Sequence, residues 1–423
     1  MGSFLTVGLT CCQRTPEQSF AKGVAYAAEG EFERAKEEFE GTLKVDPNHE
    51  LAKRCLTLIE HINEQEIQTR TAVPFFQGAT HALRGQWTEA IVEYNRAIGI
   101  EANYAMLYMG RGKAHVQIGE YNQAISDFTK AIGLDPNEAR AYTNRGIAYH
   151  FKGLNHLAII DFAKAVEINP RDAEAYNNRG KSCAKNGQYD QAISDYNRAI
   201  EIDPKDVEVY YNRGIAYHFK GWNVKAISDY SRAIEKAPQY VEAYNNRGVA
   251  LQEIGQMDNA ILDYSKAIKI RPTYAEAYYN RGRAYYIRAY YRQAIADYTK
   301  AIEIKPAYGV AYYNRGRAHY FSGQFDQAIA DFTKAIEINP RDAEAYNNRG
   351  TAYASKGHYG QAINDYDRAI ETNPRLATAY IDRGLVYMER LDNKDRACSD
   401  WERACELGEC YHYTIAKRMG NCQ

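Results

Sequence analysis

A 34-residue period governs this chain. The stretch AEAYNNRG at 173–180 returns at 343–350, and as VEAYNNRG at 241–248, always a multiple of 34 residues away. No other feature constrains the fold as much. A short unit that cannot bury its own apolar face must stack on its neighbours, so such a chain grows by addition and not by enlarging one core. Its 423 residues would otherwise suggest two or three domains.

Eleven units begin at 16, 71, 105, 139, 173, 207, 241, 275, 309, 343 and 377, ten of them contiguous from 71. Numbered from 1 to 34, each places Tyr at 4, Gly at 8, Tyr or a substitute at 11, Ala at 20, Tyr or Phe at 24, Ala at 27 and Pro at 32. The copy at 343 shows Tyr346, Gly350, Tyr353, Ala362, Tyr366, Ala369 and Pro374. The apolar positions form two helical stripes separated by a Gly-containing break such as Lys356-Gly357-His358. Gly at 8 and Ala at 20 let the paired helices approach, and Pro at 32 cannot continue the second one.

This pattern resembles the tetratricopeptide repeat over about nine-tenths of the chain. The resemblance implies an all-α, right-handed α-α superhelix of about eleven helix-turn-helix repeats. Residues 16–49 would form the first repeat and 71–410 the ten contiguous ones. Residues 50–70 place Leu51, Cys55, Leu58, Ile59 and Ile62 at helical spacing and read as a connecting helix. Residues 411–423 read as a capping helix over the last apolar face.

The recurring polar residues divide into two sets. A helix turns about 100° per residue, so positions 7 and 8 of the first helix face the second helix, while 2, 5, 6, 9, 12 and 13 fall on the opposite side. Position 7 is Arg in nine units, from Arg111 to Arg383, and position 23 is Asp in the same nine, from Asp127 to Asp400. Residues that recur together and point inward read as a structural ion pair between the two helices. Position 6 is Asn in seven consecutive units: Asn144, Asn178, Asn212, Asn246, Asn280, Asn314 and Asn348. No partner recurs in step with it along the sequence. An amide offers both donor and acceptor and can grip a peptide unit. The series resembles the asparagine ladder in the tetratricopeptide domain of O-linked N-acetylglucosamine transferase, which holds peptide backbones. The alternative is that these amides bond neighbouring backbone or were merely copied with the repeat.

Other positions on that face would set specificity. Position 9 carries Lys113, Lys181, Arg283 and Arg317, and position 2 carries a row of Glu. Positions 12 and 13 carry His150 and Phe151, His218 and Phe219, Tyr286, Tyr320 and Phe321. They read either as ligand contacts or as packing at the groove edge. First helices about 10 Å apart, against an extended chain rising roughly 3.3 Å per residue, give each rung about three ligand residues.

The formal net charge of −1 offers no electrostatic case for nucleic acid or an anionic membrane. No run of 18 or more apolar residues exists. No phosphate-binding Gly-rich loop or metal-ligand spacing appears, so neither enzyme nor cofactor is expected. The eight Cys gather at the ends. Cys398, Cys405, Cys410 and Cys422 read as disulfides, as free thiols or as a metal site. Residues 1–15 read as a plain tail, as a myristoylated terminus, or as the remnant of a lipoprotein signal ending at a lipidated Cys12. The expected function is a non-catalytic scaffold that binds extended segments of partner proteins. The rival is a lipid-anchored bacterial envelope assembly factor that self-associates, and the compartment, envelope or cytoplasm, stays open.

Overall fold

The computed structural model describes residues 15–47, 49–63 and 69–422. Cys11 and Cys12, and with them the lipidation reading, lie outside the described residues. The chain divides into two compact units, one ending at Asn212 and the other beginning at Arg213.

Every element in the first unit is a helix: α1 (Pro16–Ala28), α2 (Phe32–Val45), α3 (Glu50–Asn63), α4 (Thr69–Leu83), α5 (Trp87–Ile100), α6 (Ala105–Gln117), α7 (Tyr121–Leu134), α8 (Ala139–Phe151), α9 (Asn155–Ile168), α10 (Ala173–Lys185) and α11 (Tyr189–Ile202), with α12 (Val207–Phe219) running across the boundary. α3 buries Ala52, Cys55, Leu58, Ile59 and Ile62 in one apolar cluster with Phe20, Phe39, Phe76 and Tyr94.

The second unit continues with α13 (Asn223–Lys236), α14 (Val241–Glu253), α15 (Met257–Ile270), α16 (Ala275–Ile287), α17 (Tyr291–Ile304), α18 (Gly309–Phe321), α19 (Phe325–Ile338), α20 (Ala343–Ser355), α21 (Tyr359–Thr372), α22 (Ala377–Leu391), α23 (Lys394–Glu406) and α24 (Tyr411–Arg418). Ala416 of α24 and Cys422 pack with Tyr387, Ala397 and Trp401. Two disulfides close this end, Cys398–Cys422 and Cys405–Cys410.

One contact builds each helix pair. The glycine at position 8 of the first helix receives the ring at position 24 of the second. A Cβ added at Gly180 would stand 2.6 Å from the Tyr196 ring, one at Gly248 2.6 Å from Tyr264, and one at Gly384 2.6 Å from Trp401. The rings fill the space that a side chain at position 8 would take, and Tyr196, Tyr230, Tyr264, Phe128 and Phe332 are among the largest fully buried side chains. A tight turn then reverses the chain at position 15. There the backbone is left-handed, with φ +80° at Gly255 and +77° at Gly357, a conformation natural to glycine. Two turns do without glycine: Ala289 holds φ +58° and, in the last repeat, Asp392 holds φ +45°, each with a Cβ in place.

Candidate functional site

Within each unit, successive first helices touch one another: α4, α6, α8 and α10 in the first, and α14, α16, α18, α20 and α22 in the second. In each unit these first helices form a wall, and their side chains decide what that wall can bind.

The Arg–Asp pairs are fully engaged inside the protein. Arg145 donates through Nε and Nη2 to Asp161 at 2.7 and 2.8 Å. Arg247 does the same to Asp263 at 2.7 and 2.7 Å, and Arg315 to Asp331 at 2.8 and 2.6 Å. The remaining Nη1 reaches the second helix of the preceding repeat, as in Arg145 to Thr129 at 3.0 Å and Arg247 to Ser231 at 2.9 Å. A guanidinium so engaged ties three helices together. The carboxylates are buried, Asp195 at 2 % and Asp263 at 7 % exposure. These pairs belong to the framework.

Four of the seven asparagines do have a partner that recurs in step, which corrects the expectation from the sequence. In the first unit Asn212 donates from Nδ2 to Oδ1 of Asn177 at 3.1 Å. In the second, Asn280 donates to Asn245 Oδ1 at 3.0 Å, Asn314 to the Tyr279 hydroxyl at 3.2 Å and Asn348 to the Tyr313 hydroxyl at 2.9 Å. The acceptor is always position 5 of the preceding repeat, 35 residues back. Asp382, which replaces Asn in the last unit, reverses the bond and accepts from Asn347 at 2.9 Å. Asn314 and Asn348 also donate to Val310 and Glu344 carbonyls at 2.8 and 3.0 Å, so both their N–H groups are used. Asn246 accepts through Oδ1 from Asn245 at 3.2 Å. Asn144 and Asn178 make no side-chain hydrogen bond among the described residues. All seven rungs are half-buried.

Position 5, which helical phasing put on the open face, instead lies between repeats: Asn177 and Asn245 are 5 % exposed. The missed signal was in the sequence, since every unit whose rung is bonded this way follows one with Asn or Tyr at position 5.

The charged positions are partly consumed. Lys181 pairs with Glu208 at 2.5 Å. Arg317 lies over the Tyr286 ring at 5.0 Å and the Tyr313 ring at 5.8 Å. Arg283 stays exposed and meets the Gln252 amide oxygen at 3.2 and 3.3 Å when that amide is turned toward it. Lys113 reaches water but is enclosed enough that burial, and then Arg140, lower its pKa. Burial raises the Asp382 pKa against the hydrogen bonds from Asn347 and Thr351.

The aromatic positions lie at the turn edge of the repeats. Phe151 stacks on Tyr121 of the preceding repeat at 5.6 Å and Phe321 on Tyr291 at 5.8 Å. Both still expose more than half their surface, as does Phe219. His150 bonds Ser182 at 2.8 Å, His218 bonds Asn223 at 3.1 Å and Tyr320 bonds Ser355 at 3.3 Å.

Family comparison follows this geometry. Models described as tetratricopeptide or TPR repeat match residues 19–49, 78–119, 112–153, 139–172, 162–194, 180–221, 207–240, 230–261, 253–287, 275–308, 316–357 and 343–376. The chain belongs to the tetratricopeptide repeat family. Its fold is accordingly an all-α solenoid of helix pairs, the architecture of protein-interaction scaffolds. Similar solved structures include MamA, 30% identical over 40% of this chain and 93% of that one, with a TM-score of 0.38. YrrB, described as a TPR protein with an unusual peptide-binding site, is 23% identical over 45% of this chain and 97% of that one, with a TM-score of 0.40. A tetratricopeptide repeat protein from Parabacteroides merdae is 22% identical over 58% of this chain and 96% of that one, at 0.45. Comparison with curated proteins finds no match.

Proposed function

We propose that this tetratricopeptide scaffold is non-catalytic and binds extended segments of partner proteins along its first helices, with the asparagines as main-chain contacts. One observation carries the reading. The bond to position 5 commits the Nδ2 group of Asn212, Asn280, Asn314 and Asn348 sideways and leaves each Oδ1 without a partner among the described residues. Such a rung is an acceptor held in one orientation. It matches the N–H groups of an extended peptide, with Lys113, Lys181, Arg283, Arg317 and the aromatic edge selecting side chains.

The test is partner capture by the full chain against a variant with Asn280, Asn314 and Asn348 changed to Ala. Partners should be lost from the variant while its helicity is kept. Identical partner sets, or helicity lost in parallel with the partners, would refute the reading. A second set, Asn→Asp, keeps the acceptor but loses the donor and adds charge. Its failure to bind together with an unfolded spectrum would mark the amide as purely structural.

The disulfides favour a second reading for location. Paired cysteines persist in oxidising compartments, and Cys398–Cys422 and Cys405–Cys410 would suit an exported chain. An envelope scaffold, anchored through Cys12 or self-associating, fits that setting. The intact mass of the native protein would expose a lipid or free thiols.

A further inference from the structure

The first unit holds a feature that repeat geometry does not require. α3 lies against the wall of first helices, so that Arg54 donates to Glu138, 84 positions later, at 2.6 and 3.0 Å. Beside it opens a cavity of about 340 Å³, within the roughly 300–1,000 Å³ typical of small-ligand sites. Its wall is apolar, with Val24, Phe75, Trp87, Tyr94, Met106 and Met109. Methionine adapts its shape to an unbranched apolar guest. Among the described residues the wall carries no Asn, Gln, Ser or Thr side chain that could pair with a peptide backbone.

Arg54, Lys113 and Arg140 line this cavity, and the same three line a wider polar hollow of about 910 Å³. They stand where the two spaces meet. Arg54 is engaged by Glu138. The Lys113 ammonium and the Arg140 guanidinium have no hydrogen-bond or ion-pair partner among the described residues. In the polar hollow Arg54, Lys113, Arg140 and Arg171 face Glu138, Asp172 and Glu174, which leaves one positive charge unanswered. Enclosure, then Arg140 and Arg54, lower the Lys113 pKa against the pull of Glu174 and Glu138.

We infer that this cavity takes an apolar chain ending in a carboxylate, the chain among the aromatic and Met side chains and the carboxylate between Lys113 and Arg140. The apolar walls and the single surplus charge favour a free fatty acid over the terminus of a peptide. The site shares Lys113 with the positions proposed to select partner side chains and is lined by none of the seven asparagines.

The full chain would be titrated calorimetrically with dodecanoate, with dodecanol as the uncharged control and a peptide ending in Leu-Phe as the other source of the same chemistry. Dodecanoate should bind saturably at one site. Lys113→Met and Arg140→Met should each weaken it at least about tenfold, near one decade per lost charge contact, and both side chains are accessible enough for the fold to survive. Met106→Trp, which fills the cavity, should abolish binding while Asn314→Ala leaves it unchanged. Three outcomes would overturn the inference: no saturable dodecanoate binding, equal affinity for dodecanol with no effect of Lys113→Met, or binding of the peptide alone.

Discussion

Removing one carboxylate from the internal ion-pair series should open one repeat and spare the rest. Take Asp263→Leu. Asp263 accepts two charge-assisted bonds of 2.7 Å from Arg247. Each such bond is worth about 1.5–3 kcal/mol, and stranding one member of a buried pair costs about 3–5 kcal/mol. Two facts reduce that. The Arg247 side chain keeps 22% of its surface in solvent, and its Nη1 still reaches Ser231 at 2.9 Å. We therefore expect a loss of about 2–4 kcal/mol, a roughly 30- to 900-fold rise in local opening.

A solenoid is stabilised by intrinsic and nearest-neighbour terms, so a global melt would understate the change. Native-state hydrogen exchange is the right assay. Amides of α14 and α15 should accelerate by that factor while those of α20 and α21 hold their rates. The double variant Arg247→Met, Asp263→Leu should recover to within about 1 kcal/mol of wild type, because two apolar side chains replace the pair without leaving a buried charge. A single-variant loss below about 1 kcal/mol, or a double variant as damaged as the single, would refute the reasoning.

Other perturbations follow from particular residues. Ala289→Gly should raise stability by about 1 kcal/mol, since it relieves the left-handed backbone of α-turn position 15 at some cost in unfolded-chain entropy; chemical denaturation of the two proteins compares them. Replacing Cys398 and Cys422 by Ser opens a cross-link between positions 24 apart and should cost about 3.5 kcal/mol by loop-closure entropy, read as earlier exchange of α23 and α24. Burial raises the Asp382 pKa, so its folded value exceeds the unfolded one. Its contribution is then complete below the ordinary carboxylate range and is lost as pH rises through the raised value. Exchange protection of α20 and α22 should decline across that window, and Asp382→Asn should flatten the decline.

Much of this architecture is written in the repeat itself. Gly at position 8, the ring at 24 and the small residues at 20 and 27 are local choices that recur, and repetition turns a weak pattern into a strong one. Arg at 7 and Asp at 23 were legible as a pair because they come and go together. What was not legible depends on contacts between repeats. The phasing of one isolated helix puts position 5 on the open face, but the neighbouring helix covers it, as the burial of Asn177 and Asn245 shows. The link from Arg54 to Glu138 spans 84 positions and has no repeat to announce it. The four C-terminal cysteines left disulfides, free thiols and a metal site all open, and no repeat fixes their pairing. Cys398 joins Cys422, beyond the last helix, and Cys405 joins Cys410, at the N-cap of that helix.

The bond to position 5 also sharpens what the asparagines can mean. A register bond between repeats would explain an Asn at position 6 with no ligand at all. Position 5 is Asn before Asn212 and Asn280, and Tyr before Asn314 and Asn348, so two different side chains supply the same oxygen acceptor to the same N–H. That explanation fails at the first two rungs. Met109 precedes Asn144 and offers no oxygen, and the Thr143 hydroxyl that precedes Asn178 is turned to the Ala139 carbonyl at 3.3 Å. Asn144 and Asn178 are asparagine without the bond. Their change to Ala should therefore leave exchange protection within about 0.5 kcal/mol of wild type, as for surface sites without a structural role, whereas Asn314→Ala and Asn348→Ala should each lose about 1 kcal/mol of register bonding. If all four cost the same, the rungs share one structural role and the ladder needs no ligand. If only the latter pair costs stability while partner capture falls in both, the amides at the first two rungs serve a binding partner and not the fold.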